Sequence, residues 1–144
     1  MNMRFYGTVA IVAALAIVWM LVGAKAEPLP DALLGVWCGG GIASTPNLIF
    51  YRPSFANRQH CSDMDDGITI SATGFENDTP ADSCREYVFD KAERTPDGYV
   101  IAARLLPCVL ENDPDKPDDY LSGTWRLQLT GNDEVLIFRR MPQV

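Results

Sequence analysis

The sequence predicts an all-β protein, a small antiparallel β-barrel or sandwich of about seven to eight strands with two disulfides. Three observations favour this fold class. Short stretches alternate apolar with polar residues, turn-forming residues separate these stretches, and four cysteines follow a segment typical of exported proteins. No stretch beyond that segment shows the apolar period of a long helix.

The first 26 residues have the pattern of a cleavable signal peptide. Arg4 precedes an uncharged apolar run over residues 8–23, and Ala24-Lys25-Ala26 ends in small residues that suit a signal peptidase. The alternative is an uncleaved membrane anchor, although a spanning helix needs about 20 apolar residues and Lys25 closes this run. We therefore expect a periplasmic or secreted protein with no stable membrane insertion after cleavage.

The remaining chain is acidic and long enough for one domain. Loss of Arg4 and Lys25 with the signal peptide lowers the formal net charge from −7 to −9. We expect an extended Pro-rich spacer over residues 27–32 and a single β domain over residues 33–144. The acidity argues against nucleic acid as a partner, because phosphates require a Lys/Arg surface.

Four cysteines predict two disulfides in an exported chain of this size: Cys38, Cys61, Cys84 and Cys108. Three pairings are possible. We favour Cys38–Cys61 and Cys84–Cys108, because strands that follow one another in sequence tend to be neighbours in space. A zinc site needs clustered ligands. These cysteines are spaced by 23, 23 and 24 positions, and the chain has one His, so we expect no metal.

The first three predicted strands are residues 33–38, 48–52 and 68–72. The first runs into Gly39-Gly40-Gly41, a break or a bulge, and Pro53 stops the second. In the third, Ile68, Ile70 and Ala72 fall on one face, the period of two that marks a half-buried strand.

Four more strands are predicted over residues 85–93, 99–106, 124–129 and 134–140. The first two form a hairpin around Thr95-Pro96-Asp97-Gly98, in which Gly98 supplies a positive φ; residues 90–93 alternatively form a helical turn. Residues 124–129 alternate so that Trp125, Leu127 and Leu129 face inward. Gly131-Asn132-Asp133 then turns the chain into the last strand.

Two loops between strands carry acidic residues that suggest calcium. The first loop holds Asp63, Asp65 and Asp66. Placing Gly67 at the glycine position of an EF-hand loop puts Ser62, Met64 and Thr73 at three of the ligand positions, so the loop fails the pattern. Of the three acids, Asp66 alone stands at a ligand position. We interpret these residues as a turn. The second set is interpreted as a solvated loop: Asp113, Asp115, Asp118 and Asp119.

No residue is assigned a catalytic role. Glu76, Asp78 and Asp82 are candidates for paired carboxylates, but nothing in the sequence places a nucleophile beside them. His60 is interpreted as a surface loop residue, and no cofactor is expected.

Aromatic residues on the predicted strands either fill a small barrel or line a cavity for an apolar ligand. Filling is the simpler expectation for so short a chain. The residues are Trp37, Phe50, Tyr51, Phe75, Tyr87, Phe89, Tyr99, Trp125 and Phe138.

Gly35-Val36-Trp37 on the first predicted strand, with Arg139 and Arg140 on the last, resembles the calycin pattern of lipocalin-like up-and-down barrels. The resemblance implies a closed barrel in which Trp37 packs under an Arg of the final strand. It also implies a binding or inhibitory role without catalysis, as in small periplasmic inhibitors of proteases and lysozymes. A second G-x-W, Gly123-Thr124-Trp125, occurs in the same chain.

The sequence thus predicts an exported non-enzymatic binding protein with an unidentified protein partner, such as an envelope or periplasmic inhibitor. One alternative is a carrier of a small apolar ligand, suggested by the aromatic strands. A second alternative is a small hydrolase that uses the acidic residues.

Overall fold

The structure, a computed structural model, describes residues 27–39, 47–62, 67–78, 85–108, 119 and 121–142. The expected signal peptide, Asp63, Asp65, Asp66, Cys84 and residues 109–118 lie outside these ranges. A 3-10 turn, Asp31–Leu33, precedes eight strands. They are β1 Gly35–Gly39, β2 Asn47–Tyr51, β3 Ile68–Ile70, β4 Gly74–Asn77, β5 Glu86–Thr95, β6 Gly98–Leu105, β7 Gly123–Thr130 and β8 Val135–Arg140.

The eight strands close into an antiparallel barrel, which confirms the predicted all-β class and selects the barrel over the sandwich. Their order around the barrel is β1-β2-β8-β7-β6-β5-β4-β3, with β3 pairing back to β1. β1 therefore lies between β2 and β3, and the chain must cross β1 to connect them. This exchange of the first two strands distinguishes the barrel from an up-and-down meander.

Aromatic side chains meet in the middle of the barrel. Phe138 is fully buried, and its ring centroid lies 5.1 Å from Phe50, 5.9 Å from Trp125 and 6.1 Å from Phe75. These separations are those of packed aromatic pairs. Side chains from β2, β4, β7 and β8 thus occupy the centre, in agreement with the expected filling.

The hairpin predicted around Thr95-Pro96-Asp97-Gly98 is confirmed. Thr95 pairs with Gly98, whose φ is 132°. The ladder of β5 and β6 continues from there with a bulge between Phe89 and Lys91. Residues 90–93 are therefore strand rather than a helical turn.

The expected N-terminal spacer is part of the barrel. Leu29 is 4% exposed and belongs to the core, and the backbone N–H of Glu27 donates to Ala92 O at 3.0 Å. β4 pairs with β5 only as far as Val88. Farther along that β5 edge the backbone groups need other hydrogen-bond partners, and the N-terminal segment supplies one at Ala92.

The predicted Cys38–Cys61 disulfide is confirmed, with Cα atoms 5.0 Å apart. The Cys84–Cys108 pair stays a prediction, because Cys84 lies outside the described residues; no described cysteine is a free thiol.

In the part of the chain that the structure describes, no helix is both long and apolar enough to cross a membrane.

Candidate interaction surface

Two segments with the pattern Leu-x-Gly-x-Trp make the same local contact. The Trp37 indole Nε1–H donates to Leu33 O at 2.9 Å, and the Trp125 indole Nε1–H donates to Leu121 O at 2.8 Å. Both tryptophans are buried, and a buried indole N–H needs an acceptor. Each segment therefore turns its Trp into the barrel and satisfies its polar atom within the same turn.

An arginine from elsewhere in the chain covers each tryptophan. Arg52 Cζ lies 3.9 Å from the Trp37 ring centroid, and Arg140 Cζ lies 4.3 Å from that of Trp125. Arg52 also donates to Ala32 O at 2.7 Å and to Val36 O at 3.2 Å. The calycin resemblance implied that an Arg of the last strand covers Trp37. In the structure that position belongs to Arg52.

The two Trp–Arg pairs lie at opposite ends of the barrel. Arg140 ends β8 and is the ladder partner of Trp125. Arg52 follows the end of β2, which runs antiparallel to β8 and so ends at the other side. Burial lowers the pKa of the Arg52 guanidinium, and Asp133 in the β7–β8 turn opposes this shift. Both pairs thus close barrel ends rather than forming one site.

The segment that crosses β1 is compact. We call residues 53–62 the crossing loop. Its backbone N–H groups donate three residues back in successive turns, from Asn57 to Ser54 O at 3.1 Å, from His60 to Asn57 O at 2.9 Å and from Cys61 to Arg58 O at 3.3 Å. Its shape is therefore fixed by its own backbone.

Two contacts hold the crossing loop against the outside of the barrel. Cys38 alternates with the inward Trp37, so its disulfide to Cys61 leaves the outer face of β1. The His60 ring stacks on Tyr51 of β2, with centroids 3.8 Å apart and planes 12° apart. His60, predicted as a surface loop residue, is exposed and serves as an anchor.

The crossing loop presents an aromatic ring to solvent. Phe55 is 85% exposed, and Arg58 Cζ lies 4.9 Å from its ring centroid. Among the described residues, the other exposed large hydrophobic side chains are Val36 on β1 and Ile49 on β2. Ile49 is the ladder partner of Ile137 on β8. The exposed apolar groups therefore gather on one side of the barrel.

The described residues of β1, β2, β8 and the crossing loop carry no acidic side chain. Residues 32–62 and 135–144 contain no Asp or Glu, although Asp63, Asp65 and Asp66 follow residue 62 and Asp133 and Glu134 precede residue 135. β1, β2 and β8 are consecutive in the barrel. We call this side, with the crossing loop, the crossing-loop face; it carries Val36, Ile49, Phe55, Arg58 and Arg139.

The carboxylates considered for catalysis lie elsewhere. Glu76 on β4 forms an ion pair with Arg85 at 2.9 Å. Burial and the nearby charge of Glu76 raise the pKa of Asp78, and Arg85 opposes this shift. Asp82 lies outside the described residues. No group of three or more His, Cys, Asp or Glu side chains in the described ranges is placed to hold a metal ion.

Two open depressions occur away from the crossing-loop face. One, of about 280 Å³, is lined by residues of β3, β4 and β5, including Thr69, Glu76 and Glu86. The other, of about 350 Å³, lies between the β5–β6 turn and β7, beside Tyr99 and Leu129. Both are open to solvent, whereas small-molecule sites are usually clefts or cavities that bury most of the ligand.

Sequence reasoning missed Phe55 and Arg58, and it assigned the wrong arginine to Trp37. The absence of acids over residues 32–62 was visible in the sequence and could have marked the face. That Arg52 reaches Trp37 follows from the exchange of β1 and β2, which no local pattern reveals.

Comparison with known proteins gives no relative: no family model, no curated protein and no solved structure matches the chain.

Proposed function

We propose that this chain is an exported, non-enzymatic binding protein that engages a protein partner through the crossing-loop face, as an envelope inhibitor would. The observation that carries the proposal is Phe55, a large apolar side chain that is 85% exposed on a loop with fixed ends. Burying a Phe side chain is worth about 1.5–3 kcal/mol. A chain that leaves it in water forgoes that stabilisation in the free state.

The anchors of the crossing loop support a binding role. Because Cys61 is bonded to Cys38 and His60 stacks on Tyr51, the loop loses little conformational freedom when a partner covers it. Pre-organisation of this kind raises affinity by lowering the entropy cost of binding. An aromatic side chain that protrudes from a fixed loop can insert into a cleft of a partner, as an inhibitor's contact residue does.

The packed interior favours this proposal over the apolar-ligand carrier. Phe50, Phe75, Trp125 and Phe138 lie in mutual contact where a carried ligand would sit. The hydrolase alternative would depend on Glu76 and Asp78, and Glu76 is already paired with Arg85. Neither alternative explains the exposed Phe55.

The test is quantitative binding with the mature protein and its Phe55→Ala variant. Partners are captured from the envelope fraction of cells that export the protein, and the same proteins are assayed as inhibitors of lysozymes and proteases. We expect Phe55→Ala to weaken binding by about 2 kcal/mol, roughly 30-fold, as at an interface hot spot. Phe55 makes few internal contacts, so folding should be unaffected.

Val88→Ala is the matched control, because Val88 is a half-buried apolar residue on β5. It should leave binding unchanged. Equal affinities for wild type and Phe55→Ala, or the absence of any retained partner and any inhibition at micromolar concentration, would contradict the proposal.

A further inference from the structure

We infer that the crossing loop binds its partner as a folded turn, through side chains alone, and that the partner offers an apolar pocket rather than a groove or sheet edge for an extended chain. This mode of recognition rests on the proposed function and states the kind of site that the partner has. Three features of the crossing loop support it: its internal hydrogen bonds, the closeness of its ends, and the sides on which its side chains lie.

The carbonyl groups around Phe55 are bonded within the crossing loop. Ser54 O, Phe55 O and Asn57 O each accept from the backbone N–H three positions later, and the Arg58 N–H lies 3.4 Å from Phe55 O. The Ser54 Oγ also accepts from the Asn57 N–H at 3.3 Å, as the side chain of a helix N-cap does. A chain that binds as an added strand pairs through its backbone N–H and C=O groups. Extension around Phe55 would break these bonds.

The disulfide holds the two ends of the crossing loop together. Cys38 is the ladder partner of Tyr51, and the Cα atoms of antiparallel ladder partners lie about 4.5–5.5 Å apart. The Cα atoms of Cys38 and Cys61 are 5.0 Å apart. Tyr51 and Cys61 are therefore within about 10.5 Å of each other, whereas ten extended residues span about 33 Å. The closed loop keeps Phe55 on a turn.

The turns divide the side chains of the crossing loop into two sets. Ser54, Asn57 and Cys61, which are three or four positions apart, are half-buried. Phe55 and Arg58 are exposed on one side, since Arg58 Cζ lies 4.9 Å from the Phe55 ring centroid. In an extended chain, alternate side chains share a side, so Asn57 and not Arg58 would face the partner with Phe55. The residue that contacts the partner beside Phe55 therefore distinguishes the two modes.

The partner that fits this surface has a preformed apolar pocket for the Phe55 ring and a rim that contacts Arg58. Aromatic and arginine side chains are the ones that protein interfaces favour at their energetic centres. Recognition of side chains three or four positions apart on a turn is a mode distinct from strand addition. Because substrate clefts of proteases take extended chains, the crossing loop does not enter such a cleft as a substrate does.

The first part of the experiment tests the side chains, with the partner captured from the envelope fraction. We expect Arg58→Ala to weaken binding about fivefold, as loss of an interface arginine does. Asn57→Ala should leave binding unchanged; its Nδ2 is buried and forms no hydrogen bond to another described group, so its loss breaks none. Arg94→Ala, a matched control at an exposed position on β5, should bind as wild type does. An extended chain predicts a loss for Asn57→Ala and none for Arg58→Ala.

The second part tests the closed loop with the double variant Cys38→Ser/Cys61→Ser, which removes the disulfide and leaves no thiol at either position. We expect binding to weaken roughly tenfold, because the released loop loses its pre-organisation. A partner that takes an extended chain would bind the released loop as well as wild type or better. Urea unfolding checks that the barrel of the double variant is folded, and the Arg58→Ala and Asn57→Ala measurements do not depend on it.

The failures are distinguishable. If Phe55→Ala weakens binding, but Arg58→Ala does not or Asn57→Ala does, the folded turn is overturned and the proposed function stands. If a folded double variant binds as tightly as wild type, the folded turn is likewise overturned. If Phe55→Ala binds as wild type does, or no partner is retained, both are overturned.

Discussion

Two glycines leave the space in which arginines cover the buried tryptophans. Gly35 has φ 98° and Gly123 has φ 129°, a region that side chains disfavour. A Cβ at Gly35 would lie 3.3 Å from Arg52 Nη1, and one at Gly123 would lie 3.0 Å from Arg140 Nη1. The glycine of each Leu-x-Gly-x-Trp segment therefore permits both the positive φ of the turn and the close approach of the guanidinium.

The first prediction is that Gly123→Ala lowers the free energy of unfolding by about 1–3 kcal/mol. The strain of the positive φ is one cause, and displacement of Arg140 from Trp125 is the other. Urea unfolding measures the loss. Thr73→Ala, at an exposed turn position, is the control and should change little. An unaltered unfolding free energy for Gly123→Ala would contradict the role given to this glycine.

Asp78 supplies a pH-dependent prediction. Because burial raises its pKa in the folded state, the native protein holds this proton to a higher pH than the unfolded chain does. The free energy of unfolding therefore falls as pH rises from the ordinary Asp value of 3.8 through the raised folded value. Asp78→Asn removes this loss. The free energy of unfolding of the variant should therefore rise relative to that of wild type as pH rises.

Water screens this effect because Asp78 is partly exposed, so a gain below about 1 kcal/mol is expected at neutral pH. Thermal or urea unfolding of both proteins from pH 3 to pH 7 measures it. Parallel stability curves would show that the surroundings of Asp78, including Glu76 and Arg85, do not disfavour its charge.

Single residues were predicted best where a local pattern sufficed. The inward positions of Trp125 and Leu127 and the turn at Gly98 are confirmed. The arginine over Trp37 was not predictable, because which guanidinium reaches a ring depends on strand order rather than on sequence spacing.

At the scale of elements, the N-terminal segment completes the barrel wall. Glu27 lies along β5, where its carboxylate Oε2 also accepts from the Arg94 N–H at 3.2 Å. Leu29 and Leu33 enter the core from this segment. The chain that composition predicts as a spacer is thus needed because β4 is too short to cover β5.

Leu29→Ala should therefore lower the free energy of unfolding by about 2–4 kcal/mol, the cost of removing a buried Leu side chain. Pro28→Ala is the adjacent control, since Pro28 is exposed. Chemical denaturation of both variants gives the comparison. If Leu29→Ala lowered the free energy of unfolding no more than Pro28→Ala does, the N-terminal segment would not unfold together with the barrel.

Strands were predictable where alternation was clean, and β4 shows where it was not. Gly74 lacks a side chain, and Asn77 is buried although polar. Gly74–Asn77 therefore shows no alternation of apolar and polar residues. β3 ends at Ile70, and Ala72, predicted to continue the strand on the same face as Ile68 and Ile70, is exposed in the turn that leads to β4. Boundaries of this kind depend on pairing partners that are distant in sequence.

For the molecule as a whole, the barrel combines a packed interior with an exposed aromatic side chain on its outer surface. Its class was predictable from strand number and length, but the strand order was not, because β2 pairs with β8 and β1 pairs with β3. That exchange obliges residues 53–62 to pass over β1. The same exchange therefore places Phe55 on the outer surface. The Cys38–Cys61 disulfide fixes this loop against β1.

The central claim is that recognition occurs at the crossing-loop face and not inside the barrel. Hydrogen–deuterium exchange of the mature protein, alone and bound to the captured partner, tests it most directly. We predict slower exchange for backbone amides of residues 53–62 and the adjoining β1 and β2, with the β5–β6 hairpin unchanged. Protection confined to the β5–β6 hairpin, with residues 53–62 exchanging as in the free protein, would contradict the account.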